Sequence, residues 1–282
     1  MRRNRRNAKV GVGARLGQHF LKAPWAARAL ARAFQAGEGE TILEIGPGKG
    51  ALTRELLLVS EKVLAIEKDE GLVARLHETF EEEIASGALT IIPADIRDVT
   101  PEKLKLKAGK YVVAANIPYY ITGEIIRKFL TARAQPRAMA LLVQKEVAKR
   151  IISERESILS LSVKAFGTPR IVKNVPRGNF SPPPSVDSAI LSITNISRDF
   201  FTDPVRSDAS NGAGAEEETF FKVVRAGFAS KRKFLANNLA VSFGKENAMA
   251  ALSSYGIPEK ARAEDVPLEK WKSLAQELAT NV

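Results

Sequence analysis

The chain contains no cysteine, which excludes disulfides, thiolate metal sites and a cysteine nucleophile. Its two histidines, His19 and His77, are isolated from each other in sequence, so no metal site is expected. No apolar run approaches the length that crosses a bilayer, and the charged N-terminus has no hydrophobic segment behind it. A soluble, cytoplasmic protein without a membrane partner is expected. Acidic residues are missing from residues 1–18, which carry Arg2, Arg3, Arg5, Arg6, Lys9 and Arg15 with three glycines. This reads as a flexible basic arm suited to RNA. An organellar transit peptide is also acid-poor, but such peptides are Ser-rich, and no serine occurs before Ser60.

What is present is 282 residues with 45% hydrophobic content, enough for one large domain and a small one. Lys and Arg outnumber Asp and Glu by 43 to 32, a formal net charge of +11, which favours a polyanionic partner. No internal repeat is found.

The most informative stretch is Asn116-Ile117-Pro118-Tyr119-Tyr120, which follows an apolar run at residues 111–115 suited to a buried parallel strand. A flat purine with an exocyclic amine needs an acceptor for its N–H groups and a ring to stack on. Asn116, the rigid Pro118 turn and Tyr119 supply both. Taken alone, the same residues also suit a strand, a Pro turn and packing aromatics, and Tyr120 is assigned to packing.

Neighbouring segments supply the context. A short apolar strand at residues 41–45 runs into Gly46-Pro47-Gly48-Lys49-Gly50, and residues 52–59 have helical composition. Strand, glycine loop and helix open a nucleotide-binding α/β unit in which bare backbone approaches a ligand. The spacing is not the dinucleotide Gly-x-Gly-x-x-Gly, so a pyrophosphate is not the obvious guest. A second strand at residues 62–66 ends at Glu67, where nucleotide folds hold ribose hydroxyls. A helix at residues 69–84 leads to a third strand at residues 89–92 and then Asp95, which suits a cap, an ion pair or a ligand contact. In a parallel sheet ligands lie outside the carboxyl ends of the strands, so Gly46, Glu67, Asp95 and Asn116 should border one crevice.

A helix at residues 122–131 and a fifth strand at residues 138–143 follow. Two further strands, one around residues 171–172 and one at residues 188–193, flank a loop with three consecutive prolines. That loop stiffens the surroundings of Phe180, whose ring suits core burial or one face of a base clamp. Residues 198–218 read as a linker, and residues 220–228, 234–243, 246–254 and 268–278 as helices of a small domain. Lys222, Arg225, Lys231, Arg232 and Lys233 suit a solvated face or phosphate contact.

Taken in order, Gln18-His19-Phe20-Leu21, Glu44-Ile45-Gly46-Pro47-Gly48-Lys49-Gly50, Glu67, Asp95, Asn116-Ile117-Pro118-Tyr119 and Phe180-x-Pro-x-Pro-x-Val186-Asp187-Ser188 closely resemble the rRNA adenine N6-methyltransferase family. The resemblance runs from about residue 16 to 254. Residues 228–239 are similar to the helical domain of members that dimethylate small-subunit rRNA. The antibiotic-resistance methylases of large-subunit rRNA share the first motifs only. The resemblance implies a Rossmann-like, S-adenosylmethionine-dependent methyltransferase domain (residues 19–197) with a C-terminal helical domain (residues 219–282). It implies S-adenosylmethionine as donor and transfer to N6 of two adjacent adenosines near the 3′ end of small-subunit rRNA, each methylated twice, by a monomer acting on that rRNA or the immature small subunit. It also assigns His19 and Leu21 to the methionine end of the cofactor, Gly46 to the loop contact, Glu67 to the ribose and Asp95 to the adenine amine. His19 stands where the family more usually has Asn. Asn116 and Pro118 would accept and orient the target amine, Tyr119 would stack on the base and Phe180 would close its other side. The competing readings are an assembly factor that only binds, and a small-molecule methyltransferase. The aminoacceptor residues argue against the first and the basic clusters against the second.

Overall fold

The computed structural model describes residues 18–37, 39–202 and 212–280. The expected basic arm, apart from Gln18, lies outside the described residues. In chain order the elements are β1 Phe20–Leu21, α1 Pro24–Ala31, β2 Thr41–Ile45, α2 Ala51–Leu56, β3 Val63–Glu67, α3 Glu70–Thr79, α4 Glu81–Ala85, β4 Leu89–Pro93, β5 Tyr111–Asn116 and α5 Thr122–Leu130. They continue with β6 Ala138–Gln144, α6 Lys145–Ile152, α7 Ile158–Phe166, β7 Thr168–Val175, β8 Phe180–Ser181, β9 Ser188–Thr194, α8 Gly212–Gly227, α9 Leu235–Phe243, α10 Lys245–Ser254 and α11 Leu268–Thr280.

Seven strands form one sheet in the order β4-β3-β2-β5-β6-β9-β7. The first five are parallel, whereas β9 runs antiparallel to both β6 and β7. The chain moves outward from β2 to β4 on one side and returns to place β5 on the other side of β2. This reversal opens a crevice at the carboxyl ends of β2 and β5, where parallel sheets receive ligands. Register aligns the relevant ends: Ile45 pairs with Ala115 and with Ile66, and Glu67 pairs with Pro93.

Alternation along the central strands divides the core into two layers. Leu43, Ile45, Val113, Ala115, Met139 and Leu141 face one layer, and Ile42, Val112, Ala114, Ala140 and Leu142 face the other. Burial on both faces explains why these strands read as nearly continuous apolar runs.

Two expectations are corrected. The single helix expected at residues 69–84 is broken at Phe80, whose backbone leaves the helical region at φ −124°, ψ 36°. Its buried ring packs under the glycine loop. A side chain at Gly50 (φ 80°) would begin 2.4 Å from Phe80 Cε2, so glycine is required there by both contact and conformation. The linker expected at residues 198–218 is also shorter. Phe200 and Phe201 pack edge-on or tilted against each other and against Phe166, Phe220 and Phe221 at centroid distances of 5.0–6.0 Å. Arg198 pairs with Glu217 at 2.9 Å, and α8 already begins at Gly212. The polar average of that stretch concealed two anchoring rings. Side chains of α8–α11 share one apolar cluster with a face of the sheet, so the helices are a layer on the main core. No described helix is long and apolar enough to cross a membrane.

Candidate functional site

The sheet's carboxyl end opens into a cavity of about 310 Å³ whose walls include His19, Leu21, Gly46, Glu67, Asp95, Asn116, Pro118 and Tyr119. Of the residues expected to touch the cofactor or the target base, Phe180 alone stands apart from it.

The loop after β2 turns through left-handed glycines, with φ 67° at Gly46 and 59° at Gly48. A side chain added at Gly46 would meet open space rather than protein, so bare backbone is offered to the cavity. Glu67, 4% exposed, fastens this loop from the end of β3. Its Oε2 accepts from Gly48 N at 3.0 Å, and its Oε1 accepts from Lys68 N at 2.9 Å and Asp69 N at 3.0 Å. A carboxylate has about four acceptor positions, so about one remains for a ligand hydroxyl. Asp69 in turn caps α3 by accepting from Leu72 N, which fixes the turn beyond Glu67.

Asp95, just beyond β4, accepts from Arg97 N at 2.9 Å, from the Arg97 guanidinium at 2.7–3.2 Å and from Lys68 Nζ at 2.9 Å. Hydrogen bonding to Arg97, aided by Lys68, holds its carboxyl well below the usual carboxylate range. Lys68 thereby bridges the ends of β3 and β4.

At the other end of the cavity Asn116 closes β5. Its Nδ2 donates to the His19 carbonyl at 3.1 Å, leaving Oδ1 without a hydrogen bond among the described residues. The Tyr119 hydroxyl and Ser188 Oγ lie 2.7 Å apart, and burial pushes the phenol pKa up. The His19 and Tyr119 rings stack with centroids 5.9 Å apart, and His19 Nδ1 donates to the Pro182 carbonyl at 2.9 Å. Tyr120 is 74% exposed at the rim, which overturns its assignment to packing.

Phe180, at 1% exposure, lies in the apolar layer opposite Leu21, with which it pairs in a two-stranded antiparallel ladder. Its ring does not line the cavity. It supports the segment that carries His19 and Leu21.

Glu44 and Ser188 lie within the motifs, but the sequence gives neither a role of its own. Glu44 is fully buried in β2 beside Thr53, and among the described residues no well-formed hydrogen bond reaches its carboxyl oxygens or the Thr53 hydroxyl. Burial, with the charge of Glu67 adding to it, pushes the Glu44 pKa up to about 8, so it is mostly protonated at neutral pH. The available signal was a carboxylate inside an otherwise apolar strand. For Ser188 the sequence held no comparable sign.

The profile of the family described as ribosomal RNA adenine dimethylase matches residues 12–280 of this chain. The Ribosomal RNA small subunit methyltransferase A of Dehalococcoides mccartyi (strain CBDB1) is 39% identical over 270 residues, covering 94% of this chain and 88% of that protein. Among solved structures, the 23S rRNA methyltransferase ErmE is similar with a TM-score of 0.72 at 25% identity, over 92% of this chain and 99% of its own. A dimethyladenosine transferase from Plasmodium falciparum shares the fold with a TM-score of 0.77 at 24% identity, over 93% and 98%.

Proposed function

The chain belongs to the ribosomal RNA adenine dimethylase family, and on that premise we propose that it transfers methyl groups from S-adenosylmethionine to N6 of two adjacent adenosines near the 3′ end of small-subunit rRNA. The observation that carries this reading is the fastening of Asn116. Because Nδ2 is occupied by the His19 carbonyl, the carboxamide is oriented with Oδ1 left as an acceptor at the cavity wall.

The residues present fit the proposed cofactor. Open space before the Gly46 backbone, the remaining acceptor position of Glu67 and the apolar Ile45, Ile66 and Ile96 side chains suit a glycine-loop contact, a ribose hydroxyl and a flat ring. Asp95 would take the adenine amine, exchanging one of its Lys68 or Arg97 contacts. His19 and Leu21 would border the methionine end. Bound S-adenosylmethionine would supply an activated methyl group on a sulfonium.

Adenine N6 is a weak nucleophile because its lone pair is delocalised into the ring. Asn116 Oδ1, with a backbone carbonyl of the Asn116–Pro118 turn, would accept hydrogen bonds from the N6 hydrogens and return electron density to nitrogen, and the proton that N6 loses on methylation would pass to solvent. Pro118, at φ −55° and ψ 134°, keeps that turn rigid. Tyr119, fixed by Ser188, offers its ring to the base. For Phe180 to reach the base the ladder between β1 and β8 would have to open, and we assign it to supporting Leu21 from beneath. Orientation of this kind contributes up to roughly 7–11 kcal/mol in well-aligned systems.

A small-subunit target is supported by sequence identity rather than by fold, and the same proposal takes the protein to be a cytoplasmic monomer acting on immature subunits. The large-subunit enzyme ErmE shares the fold at 25% identity, against 39% for the small-subunit relative. The test is incubation with labelled S-adenosylmethionine and immature small subunits, followed by mapping of modified nucleosides. Dimethyladenosine in neighbouring positions near the 3′ end is expected. Its appearance in large-subunit rRNA instead would transfer the assignment.

A further inference from the structure

Two consecutive tyrosines leave β5 through a single 3-10 turn, Tyr119–Ile121, and the structure sends them to different environments. Tyr119 is half-buried and tied by its hydroxyl to Ser188. Tyr120 lies at the cavity rim with 74% of its surface exposed, and it makes no hydrogen bond or ring stack with any described residue. Its backbone is nonetheless held, between the Pro118 turn and the start of α5, where Ile121 N donates to the Pro118 carbonyl at 3.2 Å. A ring with few torsions on a fixed turn is displayed at low entropic cost.

Charged side chains stand around that rim. Arg97 is near both Tyr120 and Glu124, and Arg97 and Lys68 keep 47% and 68% of their side-chain surface exposed despite their contacts with Asp95. Lys49, on the glycine loop, also lines the cavity and extends over the Phe20 ring at 4.7 Å. An aromatic face with positive charge beside it is the combination that binds single-stranded nucleic acid, the ring taking a base and the cations its phosphates. A polynucleotide that inserts one base beside Tyr119 must carry the neighbouring nucleotide across the rim where Tyr120 stands.

We propose that Tyr120 is a stacking platform for the nucleobase that flanks the target adenosine in the same RNA strand, a subsite separate from the one that holds the reacting base. It rests on the rRNA reading above. Because two adjacent adenosines are the proposed targets, the base on Tyr120 is the second target while the first reacts. The platform then keeps the pair in reach between transfers. Stacking tolerates any base, so Tyr120 contributes affinity and registration rather than recognition of adenine.

The test compares the intact protein with Tyr120→Ala and Tyr120→Phe, using immature small subunits and labelled S-adenosylmethionine, with cofactor affinity measured separately by calorimetry. Tyr120→Ala should raise KM for the subunit roughly tenfold, the scale of one lost base–aromatic stack, with cofactor affinity unchanged. Tyr120→Phe keeps the ring and should keep the affinity. On subunits reconstituted with an abasic nucleotide on each side of the target in turn, the wild type and Tyr120→Ala should converge for one of the two. The proposal is overturned if Tyr120→Ala matches the wild type on intact subunits, if Tyr120→Phe loses as much as Tyr120→Ala, if cofactor affinity falls with the ring, or if the gap persists on both abasic substrates. A wild-type protein that methylates no small subunits would overturn the proposed function and this subsite with it, whereas wild-type activity with an unaffected Tyr120→Ala removes the subsite alone.

Discussion

The Tyr119 hydroxyl meets Ser188 Oγ at 2.7 Å, across 69 residues of sequence, and so ties the ring at the acceptor end of the cavity to the first residue of β9. Ser188 is itself fully buried and pairs with both Gln144 and Val175 in the sheet. The ring's tilt is therefore set by the rigid sheet rather than by its own turn.

Replacing Ser188 by Ala leaves the half-buried phenol without its partner, a cost of about 1–3 kcal/mol. We expect kcat for methyl transfer to fall roughly tenfold with little change in cofactor affinity. The Tyr119→Phe, Ser188→Ala double variant should be no worse than Tyr119→Phe alone, because both changes remove one contact. Additive losses in that cycle would show that Ser188 acts by another route.

Asn116 is expected to separate binding from chemistry. Asn116→Ala deletes the proposed acceptor for the target amine and also the donor to the His19 carbonyl. Single-turnover transfer should drop by roughly a hundredfold or more, in line with loss of a positioned polar group at a reacting centre. Cofactor binding, which we assign to Gly46, Glu67 and Asp95, should change far less. Wild-type transfer rates in a variant that binds cofactor normally would sink the proposed chemistry.

Glu44 gives the stability a pH dependence of definite sign. In the unfolded chain it ionises near 4.5, whereas in the folded protein its pKa is about 8. Between these values the folded state keeps a proton that the unfolded state has lost. Stability therefore falls as pH rises through that window, by up to about 1.4 kcal/mol per pH unit, and the contribution levels off above it. Glu44→Gln removes the titration, so denaturant unfolding at pH 5 and pH 8 should show a smaller decline for the variant. Equal declines in both proteins would contradict the buried-acid account.

The basic turn between α8 and α9 tests whether the helical layer contacts RNA. Lys231, Arg232 and Lys233 are exposed there and make no ion pair with a described residue. Converting all three to Ala should weaken RNA binding and flatten the slope of log affinity against log salt by roughly two, if each cation neutralises one phosphate of a single-stranded region. An unchanged slope would place the RNA contact elsewhere.

The sequence alone determined where the cavity's main groups would stand. A buried parallel strand is an apolar run, its end is where polarity returns, and in such a sheet those ends share one edge. Gly46, Glu67, Asp95 and Asn116 were placed by that local rule, and the structure brings them to one cavity. The four C-terminal helices were likewise legible from their spacing. What no local pattern encodes is which distant groups meet. Asn116 finds the His19 carbonyl 97 residues away, and His19 finds Pro182 across 163 residues. Phe180 turns inward because its strand pairs with Leu21, Phe200 and Phe201 anchor a stretch whose composition suggested a spacer, and Tyr120 is left outside while its neighbour is drawn in. Tertiary packing made these choices, because a ring's burial depends on the space left by segments remote in sequence, not on the residues beside it.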